Sequence, residues 1–365
     1  MLVPLYNFLP LRVTRAHGIW IETDQGTYLD CYAGIGVMAM GHSYGPTLEA
    51  LQKKAERHLH LSNYFQDQDA LLLARMVLEL DGRDGQVLFA NSGSEAIEAA
   101  IKAVKCLRKG AIVAFRGNFH GRTCGALSLT WSPGLREPFG ALLPDVTFLP
   151  PEGKALRAFC QEHKVAAVFL EAVQGHGGVV PCSDELASEL ERLHVEGRFL
   201  LVADEIQCGL GRSGRGFGYQ LFGLSPDLVA LGKALGGGLP LGGLMIFGHA
   251  PFSPGSHGST FAPNPLALAA GVPVLRALRP EFLAEVTRKG QRLMEGLGGL
   301  PWVRSVRGRG LMVAACTDDA LAVREAAFRR KVLLNVTGDV VRFLPALNIS
   351  DAELDRMLEC LDFSL

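Results

Sequence analysis

The chain has almost no net charge. Its 36 lysines and arginines meet 37 aspartates and glutamates, a balance of −1. That excludes the basic footprint of a nucleic-acid or anionic-membrane binder. No uncharged apolar run is long enough to span a bilayer. The opening MLVPLYNFLPLRV has no basic stretch ahead of an apolar one, so no secretory leader is expected. The eight cysteines are scattered, with no CxxC pair and no His/Cys group at zinc spacing. Scattered thiols in 365 residues predict a reduced, cytoplasmic protein without a metal. Repeats and low-complexity linkers are also missing.

What the chain does have is glycine, 43 residues of it, and short apolar runs alternating with amphipathic segments. VLFAN (87–91), AIVAF (111–115), VTFLP (146–150), AAVFLE (166–171) and FLLVADE (199–205) read as strands. Helical patterns at 94–109 and 185–197 lie between them. This alternation predicts an α/β fold, a mostly parallel sheet flanked by helices. After about residue 270 the texture changes to helix, hairpin and helix, a smaller α+β unit. The first residues read as a β-meander turning at Asp24-Gln25-Gly26 and belonging with that unit. The expected division is an N-terminal segment 1–45, a large domain 46–270 and a small C-terminal domain 271–365.

Two phosphate-loop patterns are rejected. GLGRSG (209–214) has dinucleotide spacing, but no helical period follows it. Gly232-Lys233 lacks the earlier glycine and the Ser/Thr of a Walker loop. Three other features combine. NSGSEAIEAA places Ser-Gly-Ser at a helix start, where free N–H groups and the helix dipole suit an anion. The same residues also read as a capping box, Ser92 with Glu95, and the two readings are compatible. Asp204 ends an apolar strand, where a parallel sheet binds ligands. Lys233 sits isolated between the apolar LVAL and a glycine cluster. A phosphate cradle, a carboxylate and a secluded lysine suit pyridoxal 5'-phosphate. The lysine would carry the aldehyde, and the aspartate would hold the ring nitrogen protonated.

In order, LDCYAGIGVMAMGH, NSGSEAIEAAIK, FHGRTCGALSLTW, EAVQGHGGV, DEIQCGLGRSG, PDLVALGKALGGGLPLG, HGSTFAPNPLA and VVRFLPAL run along nearly the whole chain. Together they resemble the class III (ω-amino acid) aminotransferases of the fold-type I pyridoxal-phosphate enzymes, most closely the acetylornithine and lysine-pathway branches. The resemblance implies a large cofactor-binding domain with a smaller one built from both chain ends. It implies that Lys233 is the Schiff-base lysine and moves the proton, with Asp204 on the pyridine nitrogen. Gln207 would lie beside the ring hydroxyl, Phe119 would stack on the ring, and Gly93 and Ser94 would hold the phosphate. Arg122 would bind the substrate α-carboxylate. Ser259 would serve substrate and Thr260 phosphate in the neighbouring subunit of a homodimer with shared active sites. The implied reaction passes the terminal amine of an acylated diamino acid, such as N2-acetylornithine, to 2-oxoglutarate, in arginine or lysine synthesis. Alternatives are a carrier-linked (LysW-type) lysine or aminoadipate semialdehyde, and succinyl-diaminopimelate, ornithine or 4-aminobutyrate. A racemase or aminomutase on the same scaffold, and a catalytically silent binding protein, are the readings from other classes.

The chain departs from the family at Gln174-Gly175-His176, where the family pattern reads Q-G-E. The family's glutamate pairs with an arginine matched here by Arg342. Histidine supplies no permanent negative charge. The expectation is that Arg342 is left available for a second substrate carboxylate, with His176 beside it.

Overall fold

The computed structural model describes residues 3–140, 142–143 and 145–364. Residues 1, 2, 141, 144 and 365, which fall inside the three expected segments, lie outside the described residues. A seven-stranded sheet forms the centre, in the order Gln86–Ala90, Gly242–Ile246, Leu228–Leu231, Leu200–Asp204, Val165–Leu170, Ala111–Phe115, Val146–Leu149. Only Gly242–Ile246 runs against the others. Every residue of Val165–Leu170 is buried. A strand covered on both faces needs an apolar residue at each position, which is why VAAVFL has no polar alternation.

The helices follow their caps and apolar stripes. Gly93–Leu107 starts where Ser92 Oγ accepts from Glu95 N at 3.2 Å, and it buries Ile97, Ile101 and Val104 on the sheet. Asp184–Val195 starts on Ser183 and carries Asp184 and Glu185 in its first turn, where they favour the helix dipole. Each expected strand is present within a residue or two of its reading, and so is each expected helix.

The first strands, Val13–His17, Trp20–Thr23 and Gly26–Asp30, form the meander. Its last strand pairs in parallel with Val332–Leu333 near the other end of the chain. Leu344 N also donates to Cys31 O at 2.8 Å, and Leu347 N to Ala39 O at 2.7 Å. A second four-stranded sheet, Ser305–Arg309, Met312–Cys316, Val340–Phe343 and Asn335–Thr337, is fully antiparallel. It packs with helices Pro280–Gly298 and Ala320–Arg329, and Asp351–Leu361 packs in turn on Pro280–Gly298. The GLGRSG loop leads into a short 3-10 turn, Gly218–Phe222, and opens no α-helix. All eight cysteines are free thiols. Among the described residues no helix is long and apolar enough to cross a membrane, and no group of His, Cys, Asp and Glu could hold a metal.

Candidate active site

The site lies at the carboxyl ends of the parallel strands. Asp204 ends one of them and pairs in register with Ala230 of the next, three residues before Lys233. Asp204 is 3% exposed. Its Oδ1 accepts from Ile206 N at 3.0 Å, and its Oδ2 faces His120 Nδ1 at 2.7 Å. The hydrogen-bond network assigns the proton on that ring. Asn118 Nδ2 donates to His120 Nε2 at 3.2 Å, so Nδ1 carries the hydrogen and donates to Asp204. Gln174 Nε2 in turn donates to Asn118 Oδ1 and Arg116 O, both at 2.8 Å. The chain Gln174–Asn118–His120 thus holds the Asp204 carboxylate in one orientation.

Lys233 opens the 3-10 turn Lys233–Gly236 with a φ of 45°. That left-handed conformation is costly for a residue with a Cβ, and it turns the side chain off the strand into the site. Burial lowers the Lys233 pKa, opposed by the nearby charges of Asp204 and Glu171. An amine held partly neutral is the form that attacks a carbonyl. Glu171 is itself buried and takes backbone bonds from Phe119 N at 2.6 Å and Gly175 N at 2.9 Å. Burial first, and the Asp204 charge second, push its carboxyl up to about 7.

The expected phosphate loop is packed without slack. A Cβ on Gly93 would lie 2.8 Å from Ile206 Cδ1, and one on Gly232 would lie 3.2 Å from Gly93 Cα. A Cβ on Gly121, whose φ is 135°, would collide with Ser94 Oγ, which accepts from Arg122 N at 3.3 Å. The first-turn N–H groups of Gly93 and Ser94 lie beyond the reach of intrahelical acceptors. Only half of the capping box forms. Ser92 caps Glu95 N, but the Glu95 carboxylate reaches back to Asn91 N at 2.7 Å and Asn91 Nδ2 at 2.9 Å instead of to Ser92 N.

Around the mouth, Phe119 packs its ring 5.2 Å from that of His176 and 5.4 Å from the Arg122 guanidinium carbon. Arg122 is exposed. Arg342 is 5% exposed and has no carboxylate partner among the described residues. It donates to Gly175 O at 2.9 Å and to Asn335 Oδ1, and its Nε has no partner. Burial lowers it to about 10. Burial, then Arg342 and Arg122, lower the His176 pKa, so the ring beside them is neutral. Gln207 Oε1 is buried without a partner, against Gly175. Ser259 and Thr260 are not brought to this cluster. Ser259 Oγ accepts from Asn91 Nδ2 at 3.0 Å, and Thr260 is exposed. Sequence reasoning did not single out His120, Asn118, Glu171 or Asn335. His120 and Glu171 lie inside the blocks FHGRTCGALSLTW and EAVQGHGGV, but only the fold aims them at Asp204 and Phe119.

These residues fit pyridoxal phosphate. A first helical turn with free N–H groups, an oriented buried carboxylate, a desolvated lysine just past the adjoining strand and an unpartnered Gln207 oxygen are the set of groups it needs. Comparison with known proteins agrees. The aminotransferase class-III family matches residues 4–365. The acetylornithine aminotransferase of Streptomyces coelicolor is 40% identical over 97% of this chain and 90% of its own length. That of Aquifex aeolicus is 37% identical over 98% and 97%. The N-acetylornithine aminotransferase structure from Stenotrophomonas maltophilia superposes with a TM-score of 0.84 at 31% identity, covering 98% of this chain and 96% of that one. An ornithine aminotransferase structure from Toxoplasma gondii with pyridoxal phosphate in partial occupancy reaches 0.90 at 30% identity, over 97% and 90%.

Proposed function

The chain belongs to the class III aminotransferases, and on that premise we propose that it moves the terminal amine of N2-acetylornithine to 2-oxoglutarate. It is a pyridoxal-phosphate-dependent aminotransferase. When bound, the cofactor supplies an electron sink for the carbanion left by proton loss. Lys233, with its depressed pKa, holds the cofactor and carries the proton between the two carbon atoms that exchange it. Asp204, steadied by His120, keeps the ring nitrogen protonated. Gly93 and Ser94 cradle the phosphate, Phe119 covers the ring, and Gln207 faces the ring hydroxyl. Arg122 takes the α-carboxylate of the substrate.

The observation that carries the substrate reading is Arg342. A buried guanidinium without an acidic partner is a ready seat for the second carboxylate of 2-oxoglutarate or glutamate. The names of the relatives support acetylornithine as donor. We place Ser259 and Thr260 in the site of a second copy of the chain. Thr260 and its neighbour Phe261, 62% exposed, support this, because their own chain leaves them largely uncovered.

A half reaction tests the proposal. The yellow holoenzyme is mixed with N2-acetylornithine in the absence of any oxo acid. Visible absorbance should bleach, and 2-oxoglutarate should restore it. Bleaching by glutamate but not by N2-acetylornithine would overturn the donor and point to a carrier-linked lysine or another ω-amine. No bleaching by either would overturn transamination.

A further inference from the structure

The glycine-rich loop Gly209–Gly216 is the seam between the large sheet and the C-terminal unit. A Cβ on Gly214 would collide with Thr287 Oγ1, and one on Gly310 would lie 2.5 Å from the Ser213 carbonyl carbon. Leu311 N donates to Arg212 O at 3.0 Å across the seam. Beside it opens a cavity of about 980 Å³, which no residue of the Lys233 site lines. Its walls are largely apolar, among them Leu80, Leu275, Leu283 and Met294. Its charged groups are Arg215, Arg279 and Arg309 against the single acid Glu79. All three arginines are exposed at its rim, and none makes an ion pair among the described residues. Arg309 Nη1 reaches only the Gly308 carbonyl, at 2.9 Å. Ser213, 2% exposed, lines the same cavity, and its hydroxyl has no partner.

We propose that this cavity is a second ligand site, for a small carboxylic acid with an apolar body. The arginines receive the acid group, and the leucines and Met294 receive the hydrocarbon. The volume is within the usual range for small-molecule sites, roughly 300–1,000 Å³. A neutral molecule of the same shape would gain no charge-assisted bond from the arginines, and a wholly polar anion would leave the apolar wall uncovered. An occupant touches both the Ser213–Gly216 loop and the Gly308–Gly310 hairpin, so it braces the two units and raises the melting temperature of the protein.

The probes are octanoate and octanamide, added to the holoenzyme and followed by calorimetric titration and thermal unfolding. Octanoate should bind saturably and raise Tm, and octanamide should bind at least about tenfold more weakly, as expected for loss of a charge-assisted contact. The double variant Arg279→Ala, Arg309→Ala should weaken octanoate by roughly tenfold or more, with visible cofactor absorbance retained as proof of folding. Leu283→Trp, which fills the cavity, should abolish binding, whereas Arg342→Ala should leave it intact. Equal binding of acid and amide, binding lost with Arg342, binding indifferent to the arginine pair, or no saturable binding would each overturn the proposal.

Discussion

Replacing His176 by glutamate tests whether Arg342 is open for substrate. Burial lowers Arg342 from its ordinary value to about 10, opposed only by the charge of Glu171. At ~1.4 kcal/mol per unit, that leaves a desolvation cost of order 3 kcal/mol that neutral partners such as Gly175 O offset only in part. A glutamate at 176 stands next to that carbonyl, within the field that now depresses the imidazole. Its carboxylate would gain about 1.5 kcal/mol or more from a charge-assisted bond to the guanidinium. The carboxylate of 2-oxoglutarate must then displace it. The His176→Glu variant should therefore raise KM for 2-oxoglutarate and for glutamate about tenfold, since 1.4 kcal/mol is a factor of ten. The amine donor, which needs no second carboxylate at Arg342, should change little. Steady-state kinetics with each substrate varied at saturating partner provide the assay. A KM for 2-oxoglutarate within about twofold of the parent would refute the reasoning, and Arg342 would then not be the seat of that carboxylate.

His120→Phe removes the donor to Asp204 while keeping a ring of similar size. Cofactor affinity should fall by about 1–3 kcal/mol, read by equilibrium dialysis of pyridoxal phosphate. Lys233→Ala should retain cofactor binding at Gly93 and Ser94 but lose the visible band of the lysine-bound form and all turnover, read by absorbance and assay. In the cofactor-free protein, the folded pKa of Glu171 is about 7 against an ordinary 4.5, so the native state holds a proton that the unfolded chain releases between those values. Stability should fall by up to ~3 kcal/mol as pH rises from 4.5 to 7, and Glu171→Gln should flatten that slope in urea titrations. Gly290→Ala would drive a methyl group into the Gly310 carbonyl and should lower Tm by several degrees, read by calorimetry.

Much of this molecule was legible in its residues. A short apolar run such as AAVFLE, set among alternating helical patterns, reads as a strand of a sheet covered on both faces. Ser92 ahead of an apolar 3.6-residue period marks a helix start, and a lone lysine between LVAL and glycines marks a secluded amine. Local chemistry decides such features, so neighbouring residues suffice to read them. Asp204, Lys233 and Gly93 came from motifs for the same reason, whereas Arg342 came from the resemblance. Ser259 and Thr260 came from resemblance alone, and within one chain they stay apart from the cluster. What the sequence could not fix are contacts made across long separations. His120 bears on Asp204 from 84 positions away, and Arg342 lies on the Gly175 carbonyl 167 positions away. The half-made capping box, with Glu95 turned to Asn91, followed from the neighbouring strand end, and no local rule predicts it. GLGRSG shows the same limit. The sequence excluded a dinucleotide loop, but only the packing of Thr287 and Gly310 against it revealed a seam between two units with a cavity at its edge. Distance along the chain carries no record of which groups the fold will bring into contact, so propensity and motif determine the elements while tertiary packing decides which charges meet.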